Sequence, residues 1–119
     1  MENRNEQKEA LETLVEFNER LVKNMHIIVK ELSGNRLEDT DKFLKAIVDA
    51  MNWEIAVMNG TMTLLNEGKK RVDKEAFNEK VLEFGTAINN KNDIAMADAI
   101  TQLIPEFENL ANAAKEVIA

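Results

Sequence analysis

Apolar residues recur at alternating spacings of three and four along nearly the whole chain, and this period constrains the fold more than any other feature. Such spacing gathers apolar side chains on one face of an α-helix, and that face must be buried against another helix. The four glycines and one proline leave little turn chemistry for a protein of many strands. With 119 residues the chain is the size of one ordinary domain, so we predict a single all-α domain over residues 1–119.

Breaks in the apolar period predict about four helices, over residues 5–33, 40–66, 73–90 and 92–118. Gly34 suits the left-handed position that follows the first helix. Thr40 and Asp73 are the predicted N-caps of the second and third helices, and Asn92 or Asp93 caps the fourth. Because the linkers are short, consecutive helices must run antiparallel, and the predicted architecture is an up-and-down bundle.

Two helix breakers fall inside predicted helices. Gly60 lies in the second helix, but the apolar pattern continues in phase beyond it, so we predict one continuous helix. Pro105 lies in the fourth helix, where the pattern also keeps its phase. We therefore expect a kink near Pro105 rather than two separate helices.

The first helix carries an apolar seam with one polar member. The seam consists of Leu11, Val15, Asn18, Val22, Met25, Val29 and Leu32, and Leu14, Leu21 and Ile28 lie beside it and widen it into a core-facing stripe. Asn18 either fixes the register of the bundle by pairing with another polar group or lies at the edge of the apolar stripe. We favour the edge.

The second helix is apolar on two faces. One face holds Leu44, Val48, Met51, Ile55, Met58, Met62 and Leu65, and the other holds a Trp53 line made of Ala46, Ala50, Trp53, Val57, Gly60 and Leu64. A helix of this kind is either surrounded by the core or uses one face for a partner. The Trp53 line combines an aromatic anchor with small residues that allow another helix to approach closely, so it is the predicted partner-binding surface. The alternative is that Trp53 belongs to the core.

The net charge of the chain argues against a nucleic acid or an anionic membrane as the partner. The net charge is −7, and a nucleic acid or an anionic membrane requires a basic face. The densest basic run, Lys69 to Arg71, is flanked by acidic residues and is typical of a solvated loop. The chain has no cysteine, no apolar run approaching the roughly twenty residues of a membrane span and no signal-peptide pattern, so we expect a cytoplasmic protein.

The sequence offers no constellation typical of an active site. His26 is the single histidine, and Lys23 stands where the Glu-x-x-His motif of a di-iron bundle needs a glutamate. The acidic residues fall mostly off the apolar seams, which is typical of a solvated face. We therefore expect no enzymatic activity, no cofactor and no metal.

Two stretches resemble a known family. Residues 83–105 read EFGTAINNKNDIAMADAITQLIP, and residues 49–53 read DAMNW. These are similar to a family of small all-helical Firmicutes proteins with a pattern like ALENKDYVLLADLLEYELLPLLE and a tryptophan in a central helix. Here Ile94 and Gln102 stand near the two tyrosines of that pattern, whereas Asp98 and Pro105 match it.

The resemblance implies a helical fold and, since some members are described as molecular chaperones or as flagellum-associated, a role like that of a flagellar export chaperone. The leading hypothesis is thus a non-enzymatic protein-binding module that covers an apolar helix of a partner. The alternative is a structural homo-oligomer in which the Trp53 line packs against a second copy. A concentration-dependent mass distinguishes the two.

Overall fold

The computed structural model describes residues 3–119, and over that range the chain forms five helices and no strand. The helices are α1 (Arg4–Leu32), α2 (Thr40–Gly60), α3 (Met62–Leu65), α4 (Lys74–Asn89) and α5 (Asp93–Ile118). The predicted all-α class is confirmed. The predicted count of about four is close, because the second predicted helix is divided into α2 and the single turn α3.

The break between α2 and α3 lies at Thr61, one residue past Gly60. Thr61 is buried, and its hydroxyl donates to the backbone carbonyl of Val57 at 2.7 Å. A hydroxyl that bonds back to the preceding turn bends a helix, and Thr61 leaves the helical region with a φ of −125°. The prediction of one continuous helix over 40–66 is therefore wrong at this residue.

Two of the predicted helix caps are confirmed and one is wrong. The side chains of Asp73 and Asn92 each accept a first-turn backbone N–H at 3.1 Å, which begins α4 and α5. Thr40 is instead the first residue of α2. Its hydroxyl is buried, where it accepts the N–H of Leu37 at 2.7 Å and donates to the Glu31 carboxylate at 2.8 Å. Thr40 thus ties α2 to the end of α1.

Ion pairs between loops establish the directions of the long helices. Arg36, in the loop between α1 and α2, makes a two-pronged pair with Asp93 at the start of α5, at 2.6 and 2.9 Å. At the other end, Lys69 in the loop before α4 lies 3.3 Å from Glu116 near the end of α5. The α1–α2 loop and the start of α5 therefore share one end of the molecule, and the helices run up, down, up and down as predicted.

The helices pack in the order α2, α1, α5, α4. The contact between α1 and α5 is the most extensive, α2 packs chiefly against α1, and α4 packs against α5. The short α3 contacts both α5 and α2. The bundle measures 43 × 24 × 20 Å, and within residues 3–119 no helix is both long and apolar enough to cross a membrane.

The α1 residues that face the core lie one position away from much of the predicted seam. The buried residues of α1 are Leu11, Leu14, Asn18, Leu21, Met25, Ile28 and Leu32. Val15, Val22 and Val29, which the sequence placed at the centre, are only half-buried. Asn18 is 5 % exposed, so the expectation that it lies at the edge is wrong.

Pro105 lies inside α5 without dividing it. The helix is continuous from Asp93 to Ile118, and Pro105 is on its exposed side. One helix rather than two is therefore confirmed. The buried face of α5 passes on either side of Pro105 through Leu103 and Phe107, both fully buried.

We expect Phe107→Ala to lower the free energy of unfolding by about 3–5 kcal/mol, because a fully buried phenyl ring leaves a cavity. The ring also packs edge-on against Phe77, with centroids 5.0 Å apart. Leu82→Ala is the matched control: Leu82 is 71 % exposed, and its loss is expected to change stability by no more than about 0.5 kcal/mol. Urea denaturation followed by circular dichroism measures both, and equal losses would contradict this assignment of the core.

Candidate functional site

The Trp53 line passes from the surface into the core. Ala46 and Trp53 are exposed, Ala50 and Gly60 are half-buried, and Val57 and Leu64 are buried. The N-terminal part of the line is therefore open to a partner, whereas Val57 and Leu64 are covered by the chain's own helices. Residues that share one helical period in the sequence therefore lie in two different environments, the surface and the core.

An aromatic pair marks the outward part of the Trp53 line. Trp53 is 40 % exposed and Phe17 on α1 is 37 % exposed. Their ring centroids are 5.6 Å apart with an interplanar angle of 65°, an edge-to-face geometry that aromatic rings prefer. Sequence reasoning missed Phe17, because no local pattern reports a contact between two helices whose pairing residues are far apart in the chain.

Phe17 also lines a shallow groove between α1 and α2, which we call the α1–α2 groove. It has a volume of about 200 Å³ and is lined by Phe17, Arg20, Leu21, Asn24, Phe43, Ala46, Ile47 and Ala50. The small side chains Ala46 and Ala50 leave this space open, because larger residues there would fill it. Arg20 is the only ionisable residue in the lining. The groove and the aromatic pair together form one mostly apolar surface.

A second groove, the α2–α4 groove, lies between α2 and α4. It also measures about 200 Å³ and is lined by Val48, Met51, Asn52, Ile55, Val81, Phe84, Gly85 and Ile88. Val48 and Ile55, which the sequence assigned to the core seam of α2, are half-buried in its wall. At Gly85 an added Cβ would meet no atom of the described residues within 4 Å, apart from its chain neighbours and the nearby backbone of its own helix. The glycine therefore leaves the groove wider than any other residue would.

Sequence reasoning also missed Glu54, which points into the bundle. Its side chain is fully buried, and neither carboxyl oxygen has a hydrogen-bond partner among residues 3–119. Burial disfavours the charged form and raises the pKa of Glu54 from 4.5 to about 8. Helical spacing also connects Ile47, Met51, Glu54 and Met58. This row could have revealed the buried position of Glu54, but it contains an acidic residue and was therefore not counted as an apolar seam.

The chemistry available on these surfaces is association through apolar contact. His26 is exposed, and in the part of the chain from residue 3 onward no cluster of His, Asp or Glu is arranged to hold a metal ion. The grooves offer aromatic and aliphatic side chains, and such surface is stabilised by about 25 cal/mol per Å² when it is removed from water. A helix with an apolar face has the shape and chemistry to be buried there.

We expect Gly85→Ala to raise the free energy of unfolding by about 0.5–1 kcal/mol, because glycine is a poor residue for the middle of a helix and the new methyl group has room. Thermal and urea denaturation measure the change. A loss of stability would mean that the wall of the α2–α4 groove closes on Gly85 in solution.

Most of this bundle matches a known protein family. The family model described as a domain of unknown function (DUF8042) matches residues 9–113, which extend from α1 into α5. No curated protein and no solved structure gives a significant match. The matched range includes the residues that line both grooves. The chain belongs to the DUF8042 family.

Proposed function

We propose that this chain is a non-enzymatic, cytoplasmic protein-binding module that covers an apolar helix of a partner, in the manner of a chaperone. The observation that carries the proposal is the exposed contact between Trp53 and Phe17 beside the α1–α2 groove. Two large aromatic side chains share one surface and both remain more than a third exposed. Tryptophan is among the residues that contribute most to binding energy in protein interfaces.

The shape of the surface favours a helix as the bound element. The α1–α2 groove lies between two helices, and the alanines of the Trp53 line allow a third backbone to approach. Trp53 then provides an anchor beside the groove, against Phe17, and Phe43 lies in the lining of the groove. A partner helix would meet these side chains with apolar residues spaced by three and four.

The resemblance to small helical proteins described as chaperones or flagellum-associated supports a narrower form of this proposal. In that form the partner is a secreted helical protein, such as a component of the flagellum, whose apolar helix is covered before export. The net charge of −7 favours a partner segment with basic residues around its apolar face.

We expect Trp53→Asp to lower the recovery of the partner at least tenfold, because a charge replaces the apolar anchor. Tagged wild-type chain and the variant are used to capture proteins from a lysate of the native cell, and mass spectrometry identifies them. Leu82→Asp places the same charge on the exposed face of α4 and is expected to capture as well as wild type. Circular dichroism confirms that both variants are folded, and equal capture by Trp53→Asp would exclude this surface.

A further variant distinguishes the two grooves. Gly85→Leu fills the α2–α4 groove and leaves the α1–α2 groove unchanged. If the partner binds at Trp53, Gly85→Leu captures it normally; if it binds between α2 and α4, only Gly85→Leu loses it. Capture of the chain alone, with a mass that rises with concentration in sedimentation, would favour the homo-oligomer instead.

A further inference from the structure

Glu54 is an ionisable residue at a position of α2 that faces the apolar core. It occupies the inward row of α2 between Met51 and Met58, which are 3 % and 0 % exposed. Both carboxyl oxygens are buried without a partner among the described residues. An isolated carboxylate in such surroundings is strongly disfavoured, whereas the neutral acid is tolerated.

Among residues 3–119 no charged group contributes to the pKa of Glu54. The other buried polar residues of the described chain are Asn18 on α1, Thr40 at the start of α2 and Thr61 before α3, and none of these titrates. The buried faces of α4 and α5 consist of apolar residues. The single cause of the raised pKa of Glu54 is burial, with no contribution from a charged neighbour.

Helix α2 is less extensively packed in the bundle than α1 and α5. It packs chiefly against α1, whereas α1 and α5 make the most extensive contact in the bundle. Gly34, with a φ of +105°, precedes α2 in the connecting loop, and Thr61 interrupts the helix at its other end. The segment from Thr40 to Gly60 is therefore bounded by two breaks in helical structure, and its start is held to α1 by the hydrogen bond from Thr40 to Glu31.

We propose that the proton on Glu54 keeps α2 docked, so that its loss releases α2 from the bundle and exposes the interior between α2 and α1. The proton leaves to solvent hydroxide or buffer base, and the resulting carboxylate gains hydration only when α2 moves outward. Release would also uncover Val57, an inward member of the Trp53 line. The proposal is independent of the proposed function, because its readouts need no partner.

The docking of α2 is expected to weaken as the pH rises, because Glu54 loses its proton more easily in the undocked chain than in the docked bundle. In the unfolded or undocked chain Glu54 ionises near its ordinary pKa of 4.5, whereas in the docked bundle it stays protonated up to about pH 8. The docked state is therefore favoured fully below pH 4.5, loses ground as the pH rises, and reaches a constant lower level above pH 8. Between pH 5 and pH 8 the equilibrium constant for opening is expected to rise by about 400-fold.

The test compares wild type with Glu54→Gln and Glu54→Leu across pH 5 to 9. Hydrogen exchange of the full chain, corrected for the intrinsic pH dependence of exchange, is followed separately for peptides from α2, α1 and α5. In wild type, protection in α2 is expected to fall by several hundredfold with rising pH while α1 and α5 stay protected. Both variants are neutral at every pH, so their α2 protection is expected to be constant.

An exposed glutamate on α1 provides the control variant. Glu12→Gln removes an exposed carboxylate from α1 and is expected to behave as wild type. The same pH dependence in wild type and in both Glu54 variants would overturn the proposal. So would a loss of protection that spreads equally over α1, α2 and α5, because the proton would then act on the whole fold rather than on the docking of α2. Since Glu54→Leu replaces an unpaired acid by an apolar side chain, it provides a folded reference if Glu54→Gln is unstable.

Discussion

The packing of α1 against α5 is the contact on which the other elements depend. These are the two longest helices, and each carries a long apolar face, with seven buried residues in α1, all but Asn18 apolar, and eleven in α5. Faces of this length cannot remain in water, so the two helices pack against each other and present a shared surface. Helix α4 has only three buried residues of its own and is stable because α5 gives it a surface to pack on.

The grooves on either side of α2 follow from that arrangement. Since α2 packs chiefly on α1 and α4 packs on α5, the space between neighbouring helices is filled only where side chains are large enough. Alanines 46 and 50 leave the α1–α2 groove open, and Gly85 does the same between α2 and α4. Aromatic side chains at these openings, above all Trp53 and Phe17, supply apolar surface without closing it. The candidate binding surface is thus a consequence of small residues next to large ones.

Within residues 3–119 the interior contains two polar side chains whose buried oxygens lack a hydrogen-bond partner. Asn18 is buried and its Oδ1 accepts no hydrogen bond from the described residues, and Glu54 is buried with neither oxygen paired. An apolar residue of similar volume at either position would be expected to stabilise the core. Residues that break the rule of an apolar interior commonly serve function rather than stability, which is why Glu54 is the group we associate with movement of α2.

The sequence by itself determined the helical class, the approximate bounds of the long helices and the caps at Asp73 and Asn92. These features depend on residues within one or two turns of each other, so a local pattern is sufficient to reveal them. Tertiary structure decided which row of α2 faces inward. Two rows, 47, 51, 54, 58 and 48, 51, 55, 58, both alternate by three and four and share two methionines. Only packing in the bundle, chiefly against α1, selects the first. The same packing brings Phe17 to Trp53 and encloses Glu54, because contacts between distant helices depend on where neighbouring helices cross and not on a local period.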